Sequence, residues 1–152
     1  MVGDADDVVR ARREGEGGHR ALPHTDDVRI EAWGASRERC LVEAVLGMVE
    51  CFADVTGVRP CGVERLRPTG VGDAALLAEL LDEVIHRMEA YGQVPVDVAA
   101  GQVAGRGLEV RLAVAGVSDV AVTGAVPRAV SWRGLRMGPD PYGWSCAVTV
   151  DA

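Results

Sequence analysis

The sequence predicts an α+β fold: one domain in which two helices pack against a mostly antiparallel set of strands. Three observations point to it. Period-two alternation marks a strand near each end of the chain, in Val28-Arg29-Ile30-Glu31-Ala32-Trp33 and in the run from Trp144 to Val150. Two stretches between them, 36–53 and 73–91, carry apolar residues at helical spacing. The length of 152 residues suits a single core that needs neither disulfide nor metal to hold it.

Residues 1–18 hold five acidic and three basic side chains and little to bury, so they are expected to form a disordered, charged leader ahead of a domain spanning 19–152. The first strand follows His24-Thr25-Asp26-Asp27, which sets carboxylates at its mouth. Gly34 marks a turn and Ser36 a helix N-cap, with Glu38 in the first turn where the helix dipole favours an anion. In this first helix Ser36, Arg39, Glu43 and Glu50 fall on one narrow polar stripe, while Leu41, Val45, Met48 and Phe52 line the opposite side. Such a helix is buried on most of its surface. Cys40 and Cys51 read as small core residues rather than a redox pair.

Asp54 follows at the C-terminal end of that helix, where the dipole is unfavourable to an anion; a nearby cation would relieve it, and a solvated turn would also account for it. Residues 55–72 are punctuated by Gly and Pro, with one short strand near 62–67. The second helix is expected to be capped by Asp73 and ended by Gly92. Leu77, Leu80, Leu81, Val84 and Met88 form its buried stripe, and Glu83 with Arg87 makes an i, i+4 pair. His86 lies on its wet face. Strands are expected at Val94-Val96-Val98 and Leu108-Val110-Leu112, then from 128 to 137, turning at 138–143 into the last strand. The glycines at 101, 105 and 107 lack a following helix and so do not form a phosphate loop.

Apolar residues make up 48% of the chain but aromatics only 4%, so the core is drawn from Val, Leu and Ala. Four cysteines without CxxC or Cys/His spacing, and no apolar N-terminal segment, fit a reduced cytoplasm. No apolar run approaches the roughly 20 residues of a membrane helix. The net charge of −7 argues against strong direct gripping of nucleic acid and for a protein or metal partner. If the strands at the two ends lie side by side, Asp27, Asp151 and the terminal carboxylate of Ala152 converge, and three hard oxygen donors suit Ca²⁺ or Mg²⁺.

Several segments in order resemble the archease family. His24-Thr25-Asp26-Asp27-Val28 answers its HTAD-plus-apolar signature, followed by a Gly and a helix that ends just before Asp54. Leu76-Leu77-Ala78-Glu79-Leu80-Leu81-Asp82-Glu83-Val84-Ile85 is similar to its LL-x-x-x-L-N-E-L-L helix. Arg128-Ala129-Val130-Ser131-Trp132 stands for its Lys-Ala-Val-Thr-Tyr, and an Asp lies one residue from the end. The matches run from about residue 19 to 152. Asp26 stands where the family usually has Ala, Arg133 where it has His and Asp82 where it has Asn, and Ser36-Arg37-Glu38-Arg39 lacks its acidic pair.

The resemblance implies strand-helix-strand-strand modules and a non-enzymatic assistant of an RtcB-type RNA ligase in tRNA splicing and RNA repair, one that promotes ligase guanylylation and turnover. It also implies a Ca²⁺-type (or Mg²⁺) site in which Asp27 and Asp151 bind through carboxylates and Ala152 through a backbone oxygen, with Asp54 at an acidic position close by. It assigns no catalytic residue. His24 is expected to order the strand entrance or to support the metal from behind. Two other readings compete: a stand-alone ligand-binding module, and a metal-dependent hydrolase in which His24 and Asp27 activate water.

Overall fold

Alternation is what sets the central strand pair. In the computed structural model, which describes residues 17–105 and 107–152, β2 (Asp27–Gly34) turns Val28, Ile30 and Ala32 inward, and β9 (Gly143–Asp151) turns Cys146, Val148 and Val150 inward beside them. The two pair antiparallel, with β1 (Gly18–Pro23) outside β2 and β8 (Ala129–Asp140) outside β9, giving a four-stranded sheet in the order β1-β2-β9-β8. A second sheet holds β4 (Gly62–Leu66), β6 (Gly107–Gly116) and β5 (Gln93–Val103) in that order. A two-residue ladder joins β3 (Ala53–Asp54) to β7 (Ala121–Val122).

The helices α1 (Arg37–Glu50) and α2 (Asp73–Tyr91) lie between the two larger sheets. Helix α1 packs on β1, β2 and β9 on one side and β5 on the other, and α2 packs on β8 and β5. Contact with both sheets accounts for the burial of α1 around most of its girth, including Cys40, Leu41, Ala44, Val45 and Met48. Ser36 caps it by accepting a hydrogen bond from the Arg39 N–H at 3.1 Å. Cys40 is buried, with Cys146 as its thiol neighbour, while the Cys51 thiol donates to the Gly47 carbonyl at 3.2 Å.

Three expectations are corrected, and one segment left open is settled. The first strand is β1, not the run from Val28, and Gly18 already belongs to its ladder; residues 1–16 of the leader expected over 1–18 lie outside those described. The N-cap of α2 is Gly72, at φ 92°, and Asp73 is the first helical residue, its carboxylate 3.3 Å from the Arg37 guanidinium. Segment 117–124, whose pattern favours neither helix nor strand, divides into a 3₁₀ turn (Val117–Asp119) and β7. The closing hairpin is longer than expected: β8 continues to Asp140 and only Pro141 and Tyr142 turn, the Asp140 carboxylate accepting from the Tyr142 N–H at 2.9 Å.

Candidate metal centre

Because β2 turns its even-numbered residues to the core, Asp27, Arg29 and Glu31 face away from the helices. The β2–β9 register puts Asp27 directly opposite Asp151, and Asp151 is also opposite Ala129 of β8. Two carboxylates therefore meet across the ladder, where like charges repel. Among the described residues, no Lys, Arg or His nitrogen comes within 4.0 Å of either. Backbone bonds hold the surroundings. The His24 N–H donates to the Asp27 carbonyl at 2.8 Å, closing the β1–β2 turn, and the Arg128 N–H donates to the Asp151 carbonyl at 2.8 Å. The Ala152 N–H points at the Asp26 carbonyl at 3.5 Å, and Arg128 Nη2 lies 3.4 Å from the Ala152 oxygen.

Asp27 and Asp151 are thus brought together, with Ala152 joined to the same turn through Asp26. Asp54 sits on a different ladder, opposite Ala121, and is exposed. Its carboxylate accepts from the Thr56 N–H at 3.0 Å, and hydrogen bonding to Thr56 holds its pKa below the usual carboxylate range. The solvated turn is therefore the account that fits Asp54 locally. Among the described residues no three His, Cys, Asp or Glu side chains are gathered closely enough to hold an ion by themselves. What is present fits a hard divalent cation that keeps water in its shell: two facing carboxylates and a backbone oxygen.

A second carboxylate pair went unrecognised in the sequence. Glu43 and Glu50, seven residues apart on α1, face β1, and His19 lies between them with Nδ1 2.8 Å from Glu43 Oε1 and Nε2 2.6 Å from Glu50 Oε2. Glu43 is only 4% exposed and is also paired with Arg39. The hydrogen bond to Glu43 raises the His19 pKa above its ordinary value, against burial, which opposes it. Gly47 makes the close approach feasible, since a Cβ there would stand 3.0 Å from Ile30 Cγ2 and 3.2 Å from His19 Cδ2. The polar stripe of α1 was the available signal; its partner, His19, opens the domain at a place where no strand was expected.

Two helices enclosed by antiparallel sheets, with an acidic pair on the outer sheet face, define a small α+β protein whose polar centre is on a surface rather than in a cleft. The archease protein family (MTH1598/TM1083) matches residues 19–152, and the chain belongs to that family. A protein named "Probable protein archease" in two Mycobacterium tuberculosis strains, CDC 1551 / Oshkosh and ATCC 25618 / H37Rv, is 42% identical over 144 residues, covering 94% of this chain and 80% of the relative. Two solved structures share the fold. The solution structure of Methanobacterium thermoautotrophicum protein 1598 has a TM-score of 0.66 at 19% identity, covering 89% of this chain and 99% of that one. The crystal structure of an archease from Thermotoga maritima, described as a possible chaperone, has a TM-score of 0.61 at 17% identity, covering 86% and 94%.

Proposed function

We propose that this protein is a non-enzymatic activator of an RtcB-type RNA ligase, promoting guanylylation and turnover of the ligase through an acidic, cation-binding face. Membership of the archease family and the description of the Thermotoga maritima protein as a possible chaperone support an accessory role. The observation that carries the reading is the facing of Asp27 and Asp151 across β2–β9 with no cation of the chain's own beside them among the described residues. Core packing gives no reason for two like charges there.

In this reading Asp27 and Asp151 hold Ca²⁺ or Mg²⁺ through their carboxylates and Ala152 through its backbone oxygen, with Asp54 as an acidic neighbour. The cation, when bound, supplies the positive charge that orders the face against phosphoryl oxygens of the partner's site. The chain's residues do the rest. The antiparallel ladder sets the spacing of the carboxylates, the His24 to Asp27 turn fixes the approach to β2, and Arg128 secures the strand end around Ala152. The test is the initial rate of ligase–GMP adduct formation with purified ligase and GTP, with and without this protein. A rate the protein leaves unchanged counts against the proposal.

A further inference from the structure

On the same outer sheet face, three strands contribute to a groove of about 480 Å³ that includes His24, Asp27, Arg29, Ser131, Arg133 and Thr149. The register explains the row: Arg29 is opposite Thr149, and Thr149 is opposite Ser131. Beyond Ser131 the β8 ladder slips until Arg136 resumes pairing, and Gly134, at φ 71°, turns the resulting bulge. The Arg133 N–H donates to Ser131 Oγ at 3.2 Å, fixing the start of that bulge. Arg29 Nη1 lies 3.2 Å from where a Cβ on Gly134 would be. The guanidinium from β2 therefore spans β9 and ends beside the bulge of β8.

Among the described residues, neither guanidinium is neutralised by a carboxylate. Among the described residues no carboxylate lies within 4.0 Å of Arg29 or Arg133, whereas Arg20, Arg37 and Arg39 each have one and Arg87 has two. Asp27, two residues before Arg29 on the same face, does not reach it. In a chain of net charge −7, a groove lined by two arginines against one carboxylate, Asp27, among the described residues is a local reversal of sign. Guanidinium forks match oxyanions that present several oxygens, and the Ser131 and Thr149 hydroxyls add short donors between them. The volume falls within the roughly 300–1,000 Å³ of small-ligand sites and exceeds what a single carboxylate fills.

We infer that Arg29 and Arg133, set around the β8 bulge, form a binding site for phosphoryl oxyanions of a polyphosphate or phosphodiester chain. The site goes beyond the proposed ligase role and does not depend on a bound cation. Asp27 at its edge repels the ligand when no cation is present.

The experiment is isothermal titration calorimetry of the full chain in EDTA at low salt, with inorganic tripolyphosphate in one arm and a short single-stranded RNA without terminal phosphates in the other. Saturable tripolyphosphate binding is expected, weakened about tenfold or more by Arg29→Gln and by Arg133→Gln, because each removes charge-assisted hydrogen bonds. Asp27→Asn should tighten it several-fold, and Arg65→Gln, on the other sheet, should leave it unchanged. Binding of tripolyphosphate alone assigns the site to nucleotide-type phosphates. Binding of RNA alone, lost in the same two variants, assigns it to a strand backbone. Arg133 is exposed, so its variant tests the site even if Arg29→Gln perturbs the sheet. Binding of neither probe, or binding that survives in the Arg29→Gln, Arg133→Gln double variant, overturns the inference.

Discussion

The two carboxylate pairs of this molecule differ in what balances them. Glu43 and Glu50 are answered from within: His19 bridges both and Arg39 adds a second cation to Glu43. Asp27 and Asp151 face one another on the outer sheet surface, and among the described residues no basic side chain comes within ion-pair distance. Compensation inside the chain marks a pair as part of the architecture that holds β1 on α1. In the proposed reading, a pair without such compensation among the described residues takes its balance from outside the chain.

The sharpest way to break that contrast is at the inner pair. Glu43→Ala removes a buried carboxylate and its bonds to His19, which keeps Glu50, and to the half-exposed Arg39, and the expected cost is about 2 kcal/mol, read from urea unfolding midpoints at neutral pH. A variant as stable as the parent would show that the clamp is incidental. At the outer pair the effect should fall on function instead. Asp27→Ala and Asp151→Ala should each lower activation of ligase guanylylation by more than about tenfold. The double variant should be little worse than either single, as for residues acting as a unit. Circular dichroism should show both folded, since relief of repulsion favours the metal-free protein. Equal activation by parent and both variants would sink the acidic-site mechanism.

Calcium sharpens the comparison further. At a free concentration ten times its dissociation constant, a cation on Asp27 and Asp151 adds about 1.4 kcal/mol to stability, visible as a higher melting temperature that EDTA reverses. Asp27→Ala should abolish the rise, whereas Glu43→Ala should keep it. A smaller effect concerns pH. The folded-state pKa of His19 is raised, so its contribution is fully present below the unfolded value near 6.5 and is lost as pH rises through the higher folded value. The stability difference between the parent and His19→Gln should therefore be largest in mild acid and shrink on the alkaline side. A difference growing with pH would contradict the clamp. Smallest of all, Asp26→Ala should be nearly silent in the guanylylation assay, because Asp26 contributes its carbonyl, not its side chain, to the contact with Ala152.

Elements whose own pattern matches their environment were legible in the sequence. Alternation in 28–33 and 144–150 placed β2 and β9, and with them the meeting of Asp27 and Asp151. Helical spacing placed α1 and α2, including the Glu83–Arg87 pair, which forms at 3.1 Å. Strand β1 was not legible because His19-Arg20-Ala21-Leu22, between Gly18 and Pro23, has little strand character of its own. Its conformation comes from pairing with β2, and from Gly18 lying so flat on the Trp33 ring that a Cβ would stand 2.8 Å from it. The groove at Arg29 and Arg133 was hidden for a related reason, since it depends on a bulge that sequence spacing does not announce. Asp54 was readable as an acidic turn residue, but its position relative to the facing pair is tertiary.

The strand order β1-β2-β9-β8 carries a consequence for how the chain acquires this structure. β9 is an interior strand of its sheet, yet 124 positions separate Asp151 from its partner Asp27, so β9 is synthesised well after β2. Until residues 143–151 emerge from the ribosome, β2 presents an unpaired edge and α1 lacks part of its floor, so closure waits on a contact of very high sequence separation. Folding should be slow and strongly dependent on β9. A nascent chain halted before Asp151 would offer β2 as a template for pairing with other chains, and could not assemble the acidic face at all.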